Sequence, residues 1–396
     1  MNKFKYYFVL LLAGIAIVSC NKKDDDEAEV VPLRDYQEQF NNDNADIEEY
    51  LKTNYITVTE DMDVTFSPIT DAAAQPSIMS YLNSATFPKL ILREVPYVHG
   101  ITYKMYYLVL REGVGSSPMN TDGVLTSYYG QYLKRVDKTD TEPSHLTTTF
   151  FEQVTFPKGT QDLYLTVMGW SEAFPQFKTG TTTYNPDGTA NYKDFGAGVL
   201  FIPSGLGYYA SPPSGSAIPS YAPLIFTIKL YDYIRMDHEN NGFSNNQLVF
   251  ASDGIYDYQE DLDGDGYVRD YRSTTLYPNP PAKNPDDTDG DGIPDFLDKD
   301  DDNDGFSTLF EVTKPAGAPY SGISSYYPFD PIGDNPATPN VDETEIWGVP
   351  RRPTGPKKDE SLEESISNPR SFLPEDYTTP GRKRIYLDDS YPYQKK

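Results

Sequence analysis

The chain has 396 residues and a formal net charge of −27 at neutral pH, with 60 acidic side chains against 33 basic ones. This length predicts two or three structural units rather than one core. The negative charge argues against binding to nucleic acid and against docking on anionic lipid through basic residues. The only cysteine is Cys20, so a disulfide within the chain is excluded.

The first nineteen residues have the composition of a targeting signal. Lys3 and Lys5 precede an apolar run that is too short for a comfortable membrane span, and Cys20 follows this run. The sequence Ile17-Val18-Ser19-Cys20 resembles the lipobox of bacterial lipoproteins, in which the cysteine is acylated and becomes the mature N-terminus. We therefore expect a lipid on Cys20 that anchors the protein to the outer membrane, on the cell-surface or the periplasmic face. An uncleaved signal anchor is the alternative.

Residues 20–33 are predicted to be an acidic tether. The run Asn21–Glu27 resembles the lysine-plus-acid tag that directs some Bacteroidota-type lipoproteins to the cell surface. A plain solvated spacer is the alternative interpretation of the same residues.

Residues 34–98 are predicted to form an N-terminal extension that packs against the region after it. Within it, Tyr36–Tyr55 predicts a helix, because Ile47, Tyr50 and Leu51 form an apolar stripe among polar neighbours. The rest of the extension mixes short strand-like pieces with turn residues, and its fold is not assigned.

From position 99 the pattern becomes that of a sheet domain, which we expect to end at position 235. Segments rich in β-branched and aromatic residues predict strands, and WSEAFPQF among them predicts a short helix. In chain order the strand segments are ITYKMYYLVL, VLTSYYGQYL, LYLTV, AGVLFIP and LIFTIKLYDYI. The predicted fold class is α+β, an antiparallel sheet wrapped on one short helix. Residues 181–196 contain the turn Asn185–Gly188 and predict an inserted hairpin or flap.

Two stretches of this domain carry a resemblance to a known family. Met168-Gly169-Trp170 contains one of only two tryptophans, and Gly198–Phe226 runs through Tyr208 and Ile218-Pro219. The order of these elements resembles that of the FKBP-type peptidyl-prolyl cis-trans isomerases, and the resemblance covers about residues 100–234. It implies the FKBP fold, a small aromatic pocket for proline, and isomerisation of X–Pro bonds in exported polypeptide clients.

The resemblance also implies the residues of the proline pocket. Trp170 would form the floor, Val167 would offer its backbone N–H to a substrate carbonyl, and Tyr208 would offer its hydroxyl. The other implied pocket residues are Tyr128, Phe151, Glu152, Ile218 and Phe226. A plain aromatic core is the alternative.

The sequence departs from the family pattern at two places in this pocket. Phe151-Glu152 stands where the family usually has Phe-Asp, and Phe156 is a competing alignment for the aromatic residue. Tyr209 replaces the glycine that follows the pocket tyrosine in the family. Both departures alter the pocket without removing it.

The acidic charge is concentrated between Asp253 and Glu311, where 18 acidic and four basic residues lie. Three stretches share the spacing Asp-x-Asp-x-Asp-Gly, which is the oxygen-ligand pattern of calcium-binding loops. The candidate ligands are Asp261, Asp263 and Asp265; Asp287, Asp289, Asp291, Asp295 and Asp298; and Asp300, Asp302, Asp304 and Glu311. The tandem form resembles thrombospondin type 3 repeats and implies an irregular segment, residues 236–312, that is stabilised by structural Ca²⁺. An acidic disordered linker is the alternative.

Residues 313–396 are rich in proline and tyrosine, and we predict residues 353–396 to be largely extended or disordered. The sequence as a whole predicts a lipid-anchored isomerase, acting as a foldase or chaperone at the outer membrane. The alternative is a catalytically weak docking subunit with the FKBP fold in an outer-membrane export, insertion or transport complex. A calcium-dependent adhesin or carbohydrate binder is a third interpretation. The isolated histidines His99, His145 and His238 are expected to be structural or solvent-facing.

Overall fold

The structure is a computed structural model that describes residues 32–244, 247–314, 324–336, 338, 340, 344–365 and 367–391. Residues 36–396 form one compact unit; residues 1–35 form another, of which only residues 32–35 are described. The expected signal, Cys20 and the tether up to position 31 therefore lie outside the described residues. Among the described residues, no helix is both long and apolar enough to cross a membrane.

The described chain is mostly sheet with few helices. The helices are α1 (Tyr36–Thr53), α2 (Met168–Ala173), α3 (Thr308–Val312) and α4 (Pro374–Thr378). The strands are β1 (Asn54–Val58), β2 (Val64–Pro68), β3 (Lys89–Val95), β4 (Tyr103–Arg111), β5 (Gly123–Val136), β6 (His145–Val154), β7 (Gln161–Asp162), β8 (Thr181–Tyr184), β9 (Ala190–Lys193), β10 (Gly196–Ile202), β11 (Leu224–Ile234), β12 (Glu239–Ser244) and β13 (Gln247–Ala251). Seven strands form the main sheet in the order β3-β4-β10-β11-β5-β6, with β7 paired to β5, and all these pairs are antiparallel.

Both faces of the main sheet are covered, which is clearest along β10, where every residue is buried. Successive side chains of a strand point to opposite faces. Val199 packs in the hydrophobic cluster that contains Leu51 of α1, whereas Leu200 packs in the cluster that contains Trp170 of α2. The sheet therefore lies between two helices, whereas the predicted fold class wraps the sheet on the short helix alone.

The predicted N-terminal helix is observed as α1, and it is fixed to the main sheet by charged contacts. Arg135 on β5 binds Asp46 and Glu49 of α1, with nitrogen–oxygen distances of 2.6 and 2.7 Å. Strand β3, which lies in the predicted extension of residues 34–98, is an edge strand of the main sheet. The sheet thus begins about ten residues before the predicted boundary at 98.

Four of the five predicted strand segments are observed, and the prediction for LYLTV is wrong. Leu163–Leu165 forms a 3-10 helix, because the Asp162 carboxylate accepts a hydrogen bond of 2.9 Å from the Tyr164 N–H and caps a helical turn. The predicted short helix is present as α2 and continues as a 3-10 turn over Phe174–Gln176. The inserted hairpin is present as the β8–β9 pair.

The prediction that residues 353–396 are extended or disordered is wrong for the described part of this segment. Four large side chains of this part are buried: Tyr377, Ile385, Tyr386 and Tyr391. They pack in one hydrophobic cluster with Ile255, near the start of the acidic segment, residues 253–311. Large aromatic side chains provide buried apolar surface in this part of the chain, which has little regular secondary structure. A proline-rich composition conceals such packing, because no helical or strand period marks it.

Candidate active site and acidic loops

The expected pocket floor, Trp170, is positioned by a close approach of α2 to the main sheet. Val167 is the N-terminal cap residue of α2, and its carbonyl oxygen accepts a hydrogen bond of 2.8 Å from the Trp170 N–H. Gly169 permits the approach, since a Cβ atom at this position would lie 2.5 Å from Cγ2 of Ile202 on β10. Gly169 therefore allows α2 to approach β10 closely, so that the indole of Trp170 packs against the sheet.

Four aromatic rings from β5, β6, α2 and β11 meet at this point. The ring centroids of Tyr128 and Phe226 lie 5.0 and 5.1 Å from that of Trp170, each at an interplanar angle of 81°. Phe151 stands edge-on to Phe226 at 5.5 Å. Edge-to-face contacts of this kind are the favoured geometry of aromatic pairs. The rings thus hold one another in fixed orientations around an apolar surface.

Two tyrosine hydroxyls and one carboxylate form the polar side of this surface. Burial, followed by the charge of Glu152, raises the pKa of Tyr208. Burial, followed by the charge of Glu152 and a hydrogen bond to it, raises the pKa of Tyr128 to about 12. Both hydroxyls are therefore protonated at neutral pH and can donate hydrogen bonds. The longer side chain of Glu152 still reaches the tyrosine.

Three donors of the expected pocket residues have no acceptor among the residues that the structure describes, one of which is the buried indole N–H of Trp170. The other two are the hydroxyl of Tyr208 and the backbone N–H of Val167. The Tyr208 hydroxyl and the Val167 N–H are the groups that the resemblance assigns to substrate carbonyls.

A cavity of about 830 Å³ opens over the rings. Six of the eight expected pocket residues line it: Tyr128, Glu152, Val167, Trp170, Tyr208 and Phe226. The other two, Phe151 and Ile218, lie behind the lining in the same hydrophobic cluster. Phe156 is 84% exposed, so of the two competing alignments the structure places Phe151 at the pocket. Residues 181–196 do not contribute to the lining, and the inserted hairpin therefore does not cover the cavity.

Tyr209, which stands in place of the family's glycine, has a positive φ of 49°. Its ring stacks on Tyr36 of α1 at a centroid distance of 4.7 Å and contacts Tyr221 edge-on at 4.9 Å. The left-handed conformation usual for glycine is thus retained, and ring contacts outside the pocket stabilise it.

The acidic segment forms the second wall of the cavity, and no pattern in the sequence predicts this contact. The residues of this wall are Val268, Arg269, Asp270, Ser273, Leu276 and Tyr277. Glu172 on α2 joins the two walls, because it binds both Arg93 of β3 and Arg269. Burial alone would raise the pKa of Glu172, but the charges and hydrogen bonds of Arg269 and Arg93 outweigh burial and lower it.

The three predicted acidic loops each bring a triad of carboxylates together. In each triad one oxygen per residue lies within 4.8 Å of the others; the triads are Asp261, Asp263 and Asp265; Asp287, Asp289 and Asp291; and Asp300, Asp302 and Asp304. In each loop the first aspartate accepts a hydrogen bond of 2.9–3.1 Å from the N–H of the glycine five residues later. These glycines have φ between 85° and 97°, a region that favours glycine.

Three expected ligands lie outside these triads. Asp295 accepts hydrogen bonds from the N–H and hydroxyl of Thr288, at 2.8 and 2.7 Å. Asp298 accepts from the N–H groups of Lys299 and Asp300. Glu311 is buried on α3 near the third loop, and burial followed by the charges of Asp302 and Asp300 raises its pKa to about 10.

The histidines are placed as structural residues or near the surface. His99 lines the cavity, but burial lowers its pKa to about 4, and its Nδ1 lies 3.0 Å from the Tyr103 hydroxyl. His238 is buried between the carboxylates of Asp257 and Asp162, at 2.7 and 3.0 Å. Two further acidic triads are Asp237–Glu239–Asp253, in which Asp237 is partly buried, and the fully buried Asp253–Glu260–Asp301. No regular spacing marks either triad in the sequence.

The chain is similar to known proteins over parts of its length. Residues 251–340 match the family model described as the BamM C-terminal region. No curated protein matches the chain significantly. A peptidyl-prolyl cis-trans isomerase from Pseudomonas syringae pv. tomato is 22% identical over 38% of this chain and 83% of its own, with a TM-score of 0.25.

Two other solved structures are similar to the chain. FkpA from Escherichia coli is 20% identical over 33% of this chain and 47% of its own, with a TM-score of 0.20. The structure of the three FKBP domains of wheat FKBP73 is 14% identical over 33% of this chain and 46% of its own, with a TM-score of 0.23. The chain thus spans less than half of the length of these two proteins. TM-scores of this size do not establish a shared fold.

Proposed function

We propose that the chain is a peptidyl-prolyl cis-trans isomerase that acts on X–Pro bonds of exported polypeptides in the cavity over Trp170. The observation that carries this proposal is the combination of an apolar aromatic surface with two donors that have no acceptor in the described chain, Tyr208 Oη–H and Val167 N–H. Such a site suits a reaction that needs neither a nucleophile nor a metal.

The chemistry follows from the nature of the peptide bond. Rotation about an X–Pro bond breaks amide resonance, and its barrier is about 18–20 kcal/mol. The proline ring would lie on Trp170 between Tyr128 and Phe226, where water is excluded and the charge-separated resonance form is disfavoured. Val167 N–H and the Tyr208 hydroxyl would hold the flanking carbonyls while the bond twists. Glu152 fixes the Tyr128 hydroxyl and so orients one wall.

Substitutions at Tyr208 and Trp170 test this proposal. Tyr208→Phe removes one hydrogen bond and is expected to lower kcat/KM for a proline peptide about two- to tenfold, equivalent to about 0.5–1.5 kcal/mol. Trp170→Leu removes the floor and is expected to lower kcat/KM further. The matched control is Tyr184→Phe, since Tyr184 is 75% exposed on the hairpin and outside the cavity. Equal rates for all three variants and the unmodified chain would refute the assignment of this pocket.

We also propose that the three acidic loops bind structural Ca²⁺. Alternating carboxylates at this density repel one another, and calcium prefers six to eight oxygen ligands, most of which carboxylates and backbone carbonyls can supply. Since residues of this acidic segment form one wall of the cavity, bound calcium would also fix the width of the cleft. Extracellular calcium saturates even weak sites of about 10⁻⁴–10⁻³ M.

A docking role in an outer-membrane complex is the second candidate function. It is favoured by the match of residues 251–340 to the BamM C-terminal model, a family associated with the outer-membrane assembly machinery. A lipid on Cys20 would place the chain at that membrane. Purification from membranes in a mild detergent tests this role: stable co-purification with a barrel protein, together with absent isomerase activity of the isolated chain, would favour docking over catalysis.

A further inference from the structure

A group of acidic side chains that belong to none of the three loop triads lies in the interior of the protein. Asp253, Glu260 and Asp301 are 3%, 1% and 1% exposed, and one oxygen of each lies within 4.8 Å of the others. Asp253 also belongs to the neighbouring triad with Asp237 and Glu239. Negative groups thus meet in a place from which water is excluded.

These carboxylates lack the partners that buried charges need. Both oxygens of Glu260, Asp301 and Glu239 have no hydrogen-bond partner among the described residues, and neither does Oδ2 of Asp253. The other oxygen of Asp253 accepts a hydrogen bond of 2.8 Å from the N–H of Ile255. A buried charge without a partner costs several kcal/mol. So many unpaired oxygens in one place require a compensating group.

The positively charged side chains nearby are engaged elsewhere. His238 lies next to Glu239 in the chain, but its two ring nitrogens contact Asp257 and Asp162. Within the described ranges, no lysine or arginine forms an ion pair with the interior carboxylates. Protonation alone would leave several hydroxyl groups and carbonyl oxygens that still need partners. A cation would satisfy them together.

We propose that Asp253, Glu260 and Asp301 form an interior calcium site that is separate from the three loop triads. The ligands are all oxygen atoms, which suits a hard divalent cation, and calcium accepts bidentate carboxylates in irregular cages. Magnesium retains several of its waters, for which a buried carboxylate cage is ill suited. Zinc favours histidine and cysteine ligands, and no nitrogen or sulfur ligand joins this described triad.

The positions of the three ligands indicate what the ion would do. Asp253 and Glu260 lie near the beginning of the acidic segment, whereas Asp301 lies in its third loop. Tyr386 of the C-terminal segment lies close by: burial, followed by the charges of Asp301 and Glu260, raises its pKa far above the ordinary value. One ion would therefore hold the start and the end of the acidic segment together, close to Tyr386. This inference holds whether or not the aromatic cavity is catalytic.

The experiment that locates the ion directly is anomalous X-ray diffraction from crystals of the full chain grown in calcium. The expected result is a calcium peak among Asp253, Glu260 and Asp301, in addition to any peaks in the loops. Loop peaks without an interior peak would overturn the proposal. In crystals grown in magnesium alone, the ordinary electron density is expected to show no ion at this position, and a magnesium ion with short metal–oxygen distances there would overturn the assignment to calcium.

A solution measurement on variants complements the crystals. Asp253→Asn is chosen because Asp253 belongs to no loop triad, and it is expected to retain at least one calcium ion fewer after dialysis than the unmodified chain. The control, Asp263→Asn, changes an exposed loop ligand and is expected to preserve the interior peak. Equal calcium content in Asp253→Asn and the unmodified chain would contradict the proposal. If Asp253→Asn does not fold, the diffraction experiment on the unmodified chain decides.

Discussion

Glu172 is the residue that joins the two walls of the cavity most directly. Its side chain is 2% exposed and binds Arg93 and Arg269, whose side chains are 20% and 18% exposed. Removing one member of a buried ion pair leaves charge without compensation. We expect Glu172→Gln to lower the free energy of unfolding by about 3–5 kcal/mol in a urea titration.

The matched control for Glu172→Gln is Glu112→Gln. Glu112 and Lys178 form an ion pair whose side chains are 48% and 42% exposed. An exposed pair contributes about 0–1 kcal/mol, so the control is expected to change stability by no more than that. Similar losses in the two variants would contradict the structural role assigned to Glu172.

Asp43 gives the protein a dependence of stability on pH. It lies on α1, is buried, and accepts hydrogen bonds from the N–H and hydroxyl of Ser204, at 2.8 and 2.6 Å, and from Gln39. Burial outweighs these bonds and raises the pKa of Asp43 to about 6 from 3.8. Because the folded state holds this proton more tightly, the contribution to stability is present below about pH 3.8 and is lost as pH rises through about 6.

The variant Asp43→Asn tests this dependence, since asparagine does not titrate. The unfolding free energy of the unmodified chain minus that of Asp43→Asn is expected to fall by about 2 kcal/mol between pH 4.5 and pH 7. Urea titrations from pH 4.5 to 7 measure it in the range where both chains remain folded. A value of this difference that stays constant or rises with pH would contradict the raised pKa.

At the scale of residues, the sequence predicts a site residue correctly where the type of the residue and its motif indicate its role. Trp170 and Tyr208 lie in motifs in which glycines or turns restrict the possible backbone conformations. Both residues line the cavity. Glu260 and Asp301, in contrast, have no spacing that distinguishes them from solvent-exposed acids. Their burial depends on contacts with residues distant in sequence, which local pattern does not encode.

At the scale of elements, the β8–β9 hairpin is separate from the cavity. Tyr192 of the hairpin stacks on Tyr231 of β11 at 4.8 Å, and the hairpin contributes nothing to the cavity lining. Replacing residues 184–190 with Asn-Gly keeps a two-residue hairpin turn. We expect this shortened chain to isomerise a proline peptide at the rate of the unmodified chain, measured side by side. A large loss of rate would mean that the hairpin acts in the reaction.

The elements that the sequence predicts correctly are those with a strong local pattern. Strand segments rich in β-branched and aromatic residues appear as β4, β5, β10 and β11, and the apolar stripe of α1 faces the sheet. LYLTV has the same composition, but the capping hydrogen bond from Asp162 decides its conformation. Side-chain capping of this kind competes with strand pairing and is not visible in hydrophobic periodicity.

At the scale of the whole molecule, the acidic segment and the C-terminal segment pack with the sheet in one unit, residues 36–396. The sequence predicts separate regions instead, because composition changes abruptly at their boundaries. Composition reports which residues are polar, but it does not report that Ile255 and Val312 pack with Tyr386. Such long-range packing is the part of the fold that the sequence alone leaves undetermined.

Calcium removal is expected to loosen this unit at the acidic segment. The trypsin sites within it are Arg269, Arg272, Lys283 and Lys299. Without cations the carboxylates repel one another, so we expect chelation to accelerate cleavage at these sites more than cleavage within the sheet. Gel electrophoresis and mass spectrometry of the fragments measure this. Calcium added back should restore protection, and an unchanged fragment pattern after chelation would contradict calcium binding by the loops.

The central claim is that the cavity over Trp170 accelerates rotation about X–Pro bonds. Exchange NMR on an Ala-Leu-Pro-Phe peptide tests it most directly, because uncatalysed exchange takes tens to hundreds of seconds and gives no cross-peaks on the NMR timescale. With a small amount of the calcium-loaded full chain in mild detergent, we predict cis–trans cross-peaks that disappear for Trp170→Leu. Absence of cross-peaks with the folded, calcium-loaded unmodified chain would contradict the claim.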